Sequence, residues 1–260
     1  MIETGAASTG IALARALRRE QGLVDRVVGL AWEREVSRLR AADLGLACVV
    51  GTSIDDDAHF LSALQEVRDR WGVQVLVGAR SADVLAISRL ESEIAHLGIR
   101  TFGPTRAQLD LLPAGGEART LAQVDGSYAV AVVGDGKGGV AGVAALRKVV
   151  PQRGSQRWVG VAAQEEGLLA AVRGFFSATS FRGAAELEIG RNAAGYHVLR
   201  IEPRLPAWVQ LFASYGPNLP AILVRLAQGE PVSPPVELPG GPLLVGAAWE
   251  AWMTPASQPA

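Results

Sequence analysis

A glycine-bounded segment near the start of the chain, residues 5–10, is the first candidate for chemistry. It lies between a short apolar run and a stretch with helical spacing, where backbone N–H groups at a helix N-terminus can bind phosphate. Gly5, Ser8, Thr9 and Gly10 are therefore candidate contacts for a nucleotide cofactor. The spacing is Gly-x4-Gly, however, and not the full G-x-G-x-x-G pattern. A tight strand-to-helix turn that needs glycine for its backbone is the favoured interpretation.

Three consecutive carboxylates, Asp55, Asp56 and Asp57, form a second candidate. Such a cluster could hold a metal ion. Acidic side chains are also favoured at a helix N-terminus, because they accept from free backbone N–H groups and complement the helix dipole. Residues 59–71 have the pattern of a helix, so we interpret the cluster as the start of that helix.

The elements that would position these residues alternate between strand and helix in the first half of the chain. Such alternation is typical of βαβ units with a parallel sheet. Predicted strands cover residues 1–4, 24–30, 46–50, 73–77 and 99–102, and predicted helices cover 11–18, 59–71 and 81–97. Residues 1–112 are therefore predicted to form a Rossmann-like domain.

The second half has a different pattern, in which a hairpin signal comes first. The turn at 135–139 carries an Asp-Gly pair between two strand-like runs, as expected for antiparallel neighbours. Predicted strands cover residues 128–133, 140–147, 184–189, 196–201 and 243–245, and predicted helices cover 164–176, 208–214 and 221–228. The fold class predicted for the whole chain is α/β: an N-terminal Rossmann-like parallel-sheet domain followed by an α+β part with an antiparallel sheet.

The composition excludes several classes of partner. Among 260 residues, 49% are hydrophobic and 20% charged, and the formal net charge is −1, so no basic surplus points to nucleic acid. No run of about 18 apolar residues predicts a membrane span, and the N-terminus lacks the pattern of a signal peptide. A cytoplasmic location is therefore expected, with neither nucleic acid nor a membrane among the partners.

Two stretches of the second half carry a resemblance to a known family. They read Gly-Ala-Ala-Glu-Leu-Glu-Ile at 183–189 and His-Val-Leu-Arg-Ile-Glu-Pro-Arg-Leu-Pro-Ala-Trp at 197–208. Together with 216–220 and 226–230, they resemble the ATP-grasp superfamily, in particular its carbamoyl-phosphate-synthase-like and carboxylate–amine ligase members. A Gly-Ile strand followed by a Gly-Pro turn at 98–104 is similar to the end of the Rossmann-like domain with which those families begin.

The resemblance implies a site for Mg-ATP. In that family one strand supplies a carboxylate and the next a Glu-x-Asn-Pro-Arg segment, and their oxygens hold a magnesium ion that bridges the ATP phosphates. Glu188 and Glu202 stand at positions of metal ligands. Arg204 stands where the family has the catalytic arginine that holds phosphate or the acyl-phosphate intermediate.

Departures from the family pattern argue against that chemistry. Arg200 stands where the second metal carboxylate belongs, and a guanidinium repels a cation. Because Arg200 and Glu202 face the same side of a strand, an ion pair between them, or with Glu188 and Arg204, is favoured over a metal site. Residues 113–122 are predicted to be a linker where the family has a whole subdomain that grips ATP. Residues 123–253 are then an antiparallel-sheet remnant of an ATP-grasp domain, followed by a disordered tail at 254–260.

The leading hypothesis is a degenerate, non-catalytic ATP-grasp homologue without a cofactor, which acts as an accessory or peptide- or protein-binding subunit beside an intact ligase. The alternative is an ATP-dependent carboxylate–amine or thiol ligase whose Mg-ATP site is reduced or completed by a partner. A third hypothesis is nucleotide or small-ligand sensing by residues 1–112 through the segment at 5–10. The expected partners are a second copy of the chain, a partner ligase or a peptide.

Overall fold

The computed structural model describes residues 5–32, 47–51, 54, 56–112, 125–149, 158–214, 216–232, 243–246 and 251–253. The strand predicted at 1–4, the linker at 113–122 and the tail at 254–260 lie outside these residues. Within them, no helix combines the length and the apolarity that a membrane span requires.

The N-terminal part combines one pair of parallel strands with several helices. Its elements are α1 (Gly5–Arg19), β1 (Val28–Trp32), β2 (Ala47–Gly51), α2 (Asp57–Trp71), α3 (Ser81–Arg89), α4 (Glu91–His96) and α5 (Arg106–Asp110). Strands β1 and β2 pair in parallel. Residues 73–78, between α2 and α3, make one parallel bridge, from Val75 to Arg100.

The turn predicted at residues 5–10 is wrong, because these residues form the first part of α1. Alanine is the best helix former, and α1 contains five alanines, which offset the cost of about 1 kcal/mol for each glycine. The helix also buries Ala12, Leu13 and Ala16 against the rest of the fold. This tertiary burial, which glycine spacing does not reveal, stabilises a helix more than local propensity does.

Asp56 and Asp57, the two described residues of the carboxylate cluster, lie at the start of a helix, as predicted. Asp56 is the N-cap of α2, and its side chain accepts from the backbone N–H of His59 at 3.1 Å. Asp57 lies in the first turn. The single helix predicted at 81–97 is divided at Leu90, whose backbone (φ −107°, ψ 19°) is not helical.

The C-terminal part is built on an antiparallel sheet of seven described strands. These are β3 (Gly126–Asp135), β4 (Val140–Val149), β5 (Trp158–Ala162), β6 (Arg182–Asn192), β7 (Gly195–Glu202), β8 (Leu243–Gly246) and β9 (Ala251–Met253), in the order β7-β6-β3-β4-β5-β8-β9. The helices are α6 (Glu166–Thr179), α7 (Val209–Phe212) and α8 (Leu219–Gln228). The predicted hairpin and the antiparallel sheet are confirmed.

Strand alternation divides the core into two layers on opposite faces of this sheet. On β3, Ala129, Ala131 and Val133 share a cluster with residues of α1, α7 and α8. Tyr128, Val130 and Val132 share another cluster with residues of α6. Because successive side chains point to opposite faces, each central strand contributes to both layers. A third cluster lies within the N-terminal part and includes Phe60, Leu64 and Ile94.

Candidate functional site

Charged side chains gather on the sheet face that carries the first of these core layers. On β6, Ala185, Leu187 and Ile189 are buried in the opposite layer, so Glu186 and Glu188 project from the first face. Glu186 lies opposite Glu202 and Glu188 lies opposite Arg200 on the neighbouring strand β7. The structure thereby brings the predicted positions 188, 200, 202 and 204 together on one surface, which we term the charged face.

Glu188 forms an ion pair with Lys148, a residue that was not among the predicted site residues. The Nζ atom of Lys148 lies 2.7 Å from Glu188 Oε1. The two residues belong to β4 and β6, which flank β3, and Ala129 of β3 lies opposite Glu188. The short alanine side chain leaves room for the ion pair to form above the intervening strand.

Glu202 is held from two directions. Its carboxylate forms an ion pair with Arg200 on the same strand. It also accepts a hydrogen bond of 2.5 Å from the hydroxyl of Ser81, the first residue of α3. The ion pair that the sequence favoured over a metal site is therefore present, and Ser81 ties it to the N-terminal part.

Arg204 is paired with a third carboxylate, Glu186, at 3.0 Å. Only 22% of the Glu186 side chain is exposed, and burial raises the pKa of this carboxyl, although the Arg204 guanidinium opposes the shift. The indole N–H of the neighbouring Trp208 is buried and meets no hydrogen-bond acceptor within the described residues.

The charged face thus contains three carboxylates and three matching cations. The carboxylates are Glu186, Glu188 and Glu202, and their respective partners are Arg204, Lys148 and Arg200. Over the described ranges, no group of three or more histidine, cysteine, aspartate or glutamate side chains is arranged to hold a metal ion. In chemical terms the arrangement is an internally neutralised network that ties strands β4, β6 and β7 to α3.

The glycine-segment candidates are not part of the charged face. Gly5, Ser8, Thr9 and Gly10 all belong to α1, and Thr9 is only 4% exposed. Gly10 lines a different feature, a cavity of about 410 Å³ in the N-terminal part. None of the four is brought next to Glu188, Glu202 or Arg204 by a described contact.

Three residues of the charged face were missed at the level of sequence. Glu186 could have been found, because it precedes Glu188 by two positions on a predicted strand and so shares its face. Lys148 required the register of β4 against β3, which no local pattern supplies. Ser81 required the packing of α3 against the sheet, and the sequence carries no signal for that contact.

A second polar cluster lies on the opposite face, around Glu165 at the start of α6. Its carboxylate accepts from the hydroxyls of Tyr128, at 2.8 Å, and Tyr196, and pairs with Arg191 at 3.3 Å. Burial acts to raise the pKa of Glu165, but these hydroxyls and nearby arginines outweigh it and hold the pKa below its ordinary value. Burial is the largest cause that raises the pKa of Tyr128, and hydrogen bonding to Glu165 raises it further.

The comparisons with known proteins rest on structure alone. The sequence matches no protein-family model and no curated protein. The structure is similar to biotin carboxylase from Campylobacter jejuni, solved as a complex with β,γ-ATP, with a TM-score of 0.63 at 12% identity. That likeness covers 91% of this chain and 73% of the other. The chain has a partial ATP-grasp fold.

Two further ATP-grasp enzymes show the same likeness. N5-carboxyaminoimidazole ribonucleotide synthetase from Thermus thermophilus has a TM-score of 0.60 at 16% identity, over 93% of this chain and 81% of that one. Pyruvate carboxylase from Rhizobium etli has a TM-score of 0.63 at 15% identity, and this chain spans 29% of its length. At these identities the likeness shows a shared ATP-grasp fold.

Proposed function

We propose that this chain is a degenerate, non-catalytic ATP-grasp homologue that acts as an accessory or peptide- or protein-binding subunit, with a Rossmann-like N-terminal domain. The observation that carries the proposal is the pairing of all three carboxylates of the charged face with cations of the same chain. Each carboxylate already has the opposite charge that a magnesium ion would otherwise supply.

The donor set also suits magnesium poorly. This ion prefers six oxygen ligands in near-octahedral geometry at about 2.0–2.1 Å. Arg200 supplies a guanidinium where a carboxylate would be needed, and it lies opposite Glu188 on the adjacent strand. A divalent cation between Glu188 and Glu202 would have to displace both Lys148 and Arg200, at the expense of two ion pairs.

The alternative, an ATP-dependent ligase with a reduced or partner-completed Mg-ATP site, is supported by the retained positions of Glu188, Glu202 and Arg204. Similar structures were solved with β,γ-ATP or with MgADP and bicarbonate. If those ligands were also bound here, Arg204 would contact phosphate instead of Glu186. This alternative therefore predicts that the Arg204–Glu186 pair opens during turnover.

A turnover assay separates the two functions. The full chain is incubated with Mg-ATP, bicarbonate and a panel of carboxylates and amines, and ADP release is measured. We expect no release above the rate without protein. Release that is abolished by both E188A and R204A, but not by R173A, would establish the ligase instead. Arg173 is a suitable control because it is 61% exposed on α6 and pairs with Glu166, away from the charged face.

A further inference from the structure

Three groups of contacts join the N-terminal part to the C-terminal part in the described structure. The first is at the beginning of β6, where Arg182 donates from Nε to the Gly103 carbonyl at 2.5 Å and pairs with Glu91 of α4. Its guanidinium also lies over the Phe102 ring, 5.6 Å from the ring centroid. Only 27% of the Arg182 side chain is exposed, so solvent screens these contacts only in part. One side chain thus holds the start of β6 against two segments of the N-terminal part.

The second is the hydrogen bond of 2.5 Å from Ser81 to Glu202, at the end of β7. Glu202 lies opposite Glu186, which is four residues along β6 from Arg182. At about 3.3 Å per residue, the first and second contacts are therefore roughly 13 Å apart along the sheet. They also hold different helices of the N-terminal part, because Ser81 begins α3 whereas Arg182 pairs with the first residue of α4.

The third group lies above one face of the sheet, where α1 packs on α7 and α8. Asn218, the N-cap of α8, donates from Nδ2 to the Ala16 carbonyl at 2.8 Å. Arg225 of α8 pairs with Glu20, just after α1, at 3.0 Å. Leu13 of α1 is buried in the same core layer as residues of α7, α8 and β3. A helix of the N-terminal part therefore builds part of the core of the sheet.

These three groups of contacts do not lie on one line. The first two lie at the ends of β6 and β7, within the sheet, whereas the third lies on helices that cover one of its faces. A hinge motion rotates one body about a line and leaves unchanged only the contacts near that line. Any such rotation between the two parts therefore breaks at least one of the three groups. A rotation that lifts α1 also exposes the apolar side chain of Leu13 to water.

We propose that the three groups of contacts act as a clamp that prevents hinge motion between the N-terminal part and the sheet. The two parts then open and unfold as one cooperative unit, although the chain builds them from separate segments. A partner that binds either part stabilises both, because the unfolding of one requires the unfolding of the other. The clamp uses contacts on several elements and holds whether or not the chain turns over ATP.

Native-state hydrogen exchange of the full chain tests the clamp. R182M removes the charged donor of the first contact. It should accelerate exchange of the α1 amides at residues 12–17 and of the β3 amides at residues 130–132 by the same factor, about tenfold. R173M is the control and should change neither rate, because Arg173 is 61% exposed on α6 and pairs with Glu166. Faster exchange in α1 with unchanged exchange in β3 would overturn the proposal, since the N-terminal part would then open by itself.

A distance measurement decides the question even if R182M does not fold. Spin labels are attached to Q65C on α2 and A178C on α6, both at exposed positions, after C48A removes the single native cysteine. Pulsed electron paramagnetic resonance then reports the separation between the N-terminal part and the helix on the far face of the sheet. We expect a distance distribution with one maximum. Two maxima would show two arrangements of the parts and would contradict the clamp.

Discussion

Lys148 and Glu188 lie on strands that are not neighbours, yet their charged atoms are 2.7 Å apart across β3. Glu188 is the residue for which the sequence resemblance predicts a role as metal ligand. In this chain the cationic charge beside it comes from the protein itself. The same holds for Glu202 with Arg200, so both predicted metal ligands are held in ion pairs within the chain.

The Lys148–Glu188 pair should contribute measurably to stability. Its side chains are 26% and 35% exposed, so solvent screens part of the attraction. We expect a coupling energy of about 0.5–1 kcal/mol from a double-mutant cycle of K148M and E188Q, measured by urea unfolding. The Arg106–Asp110 pair, exposed by 63% and 58%, should show no more than about 0.5 kcal/mol. Equal coupling in the two cycles would contradict a special role for Lys148.

Removal of the Arg204 charge should make stability depend more strongly on pH. The pKa of Glu186 is raised in the folded state. The stability that this carboxyl contributes is therefore fully present below the ordinary glutamate pKa and is lost as pH rises through the pKa of the folded state. R204M removes the main opposing cation, so the pKa rises further and the loss extends to higher pH.

The measurement is thermal unfolding of wild type and R204M between about pH 4 and about pH 8. The destabilisation by R204M should grow with pH, and in the double variant E186Q/R204M this growth should disappear. If the difference in unfolding temperature between R204M and wild type is constant with pH, the pKa of Glu186 does not depend on Arg204.

The Glu165 cluster should affect the pH dependence of stability in the direction opposite to that of Glu186. The pKa of the Glu165 carboxyl is lowered in the folded state. The stability that it contributes is therefore present above the ordinary glutamate pKa and is lost as pH falls through the pKa of the folded state. E165Q should therefore cost about 1 kcal/mol at neutral pH and flatten the acid limb of the stability profile. E166Q, at an adjacent side chain that is 81% exposed, should leave the profile as in wild type. Identical profiles for the two variants would refute the assignment.

Gly183 should resist substitution because it lies where the sheet meets the N-terminal part. Its φ is +87°, and a Cβ atom would lie 2.6 Å from the Phe102 carbonyl oxygen. We expect G183A to lower the free energy of unfolding by about 1–3 kcal/mol. G174A is the matched control, since a Cβ there meets nothing within 4 Å inside α6 and should stabilise the helix by about 0.5–1 kcal/mol. If G183A and G174A change the free energy of unfolding by the same amount, the close approach at Gly183 does not contribute to stability.

The sheet and part of the charged face could be predicted from sequence because strand alternation is a local property. The spacing of Arg200 and Glu202 places both on one face without further information. The Lys148 partner depends on strand register, and the helix at residues 5–10 depends on tertiary burial of Ala12 and Ala16, which outweighs the local glycine signal. Whether residues 113–122 replace a subdomain stays a prediction, because they lie outside the described residues.

We propose that the carboxylates of the charged face are held in internal ion pairs and do not bind Mg-ATP. This proposal is tested most directly by calorimetric titration of the full chain with ATP, with and without excess magnesium. We expect no magnesium-dependent binding at nucleotide concentrations up to about 1 mM. Magnesium-dependent binding of ATP with a dissociation constant in the micromolar range, lost in E188Q, would contradict it.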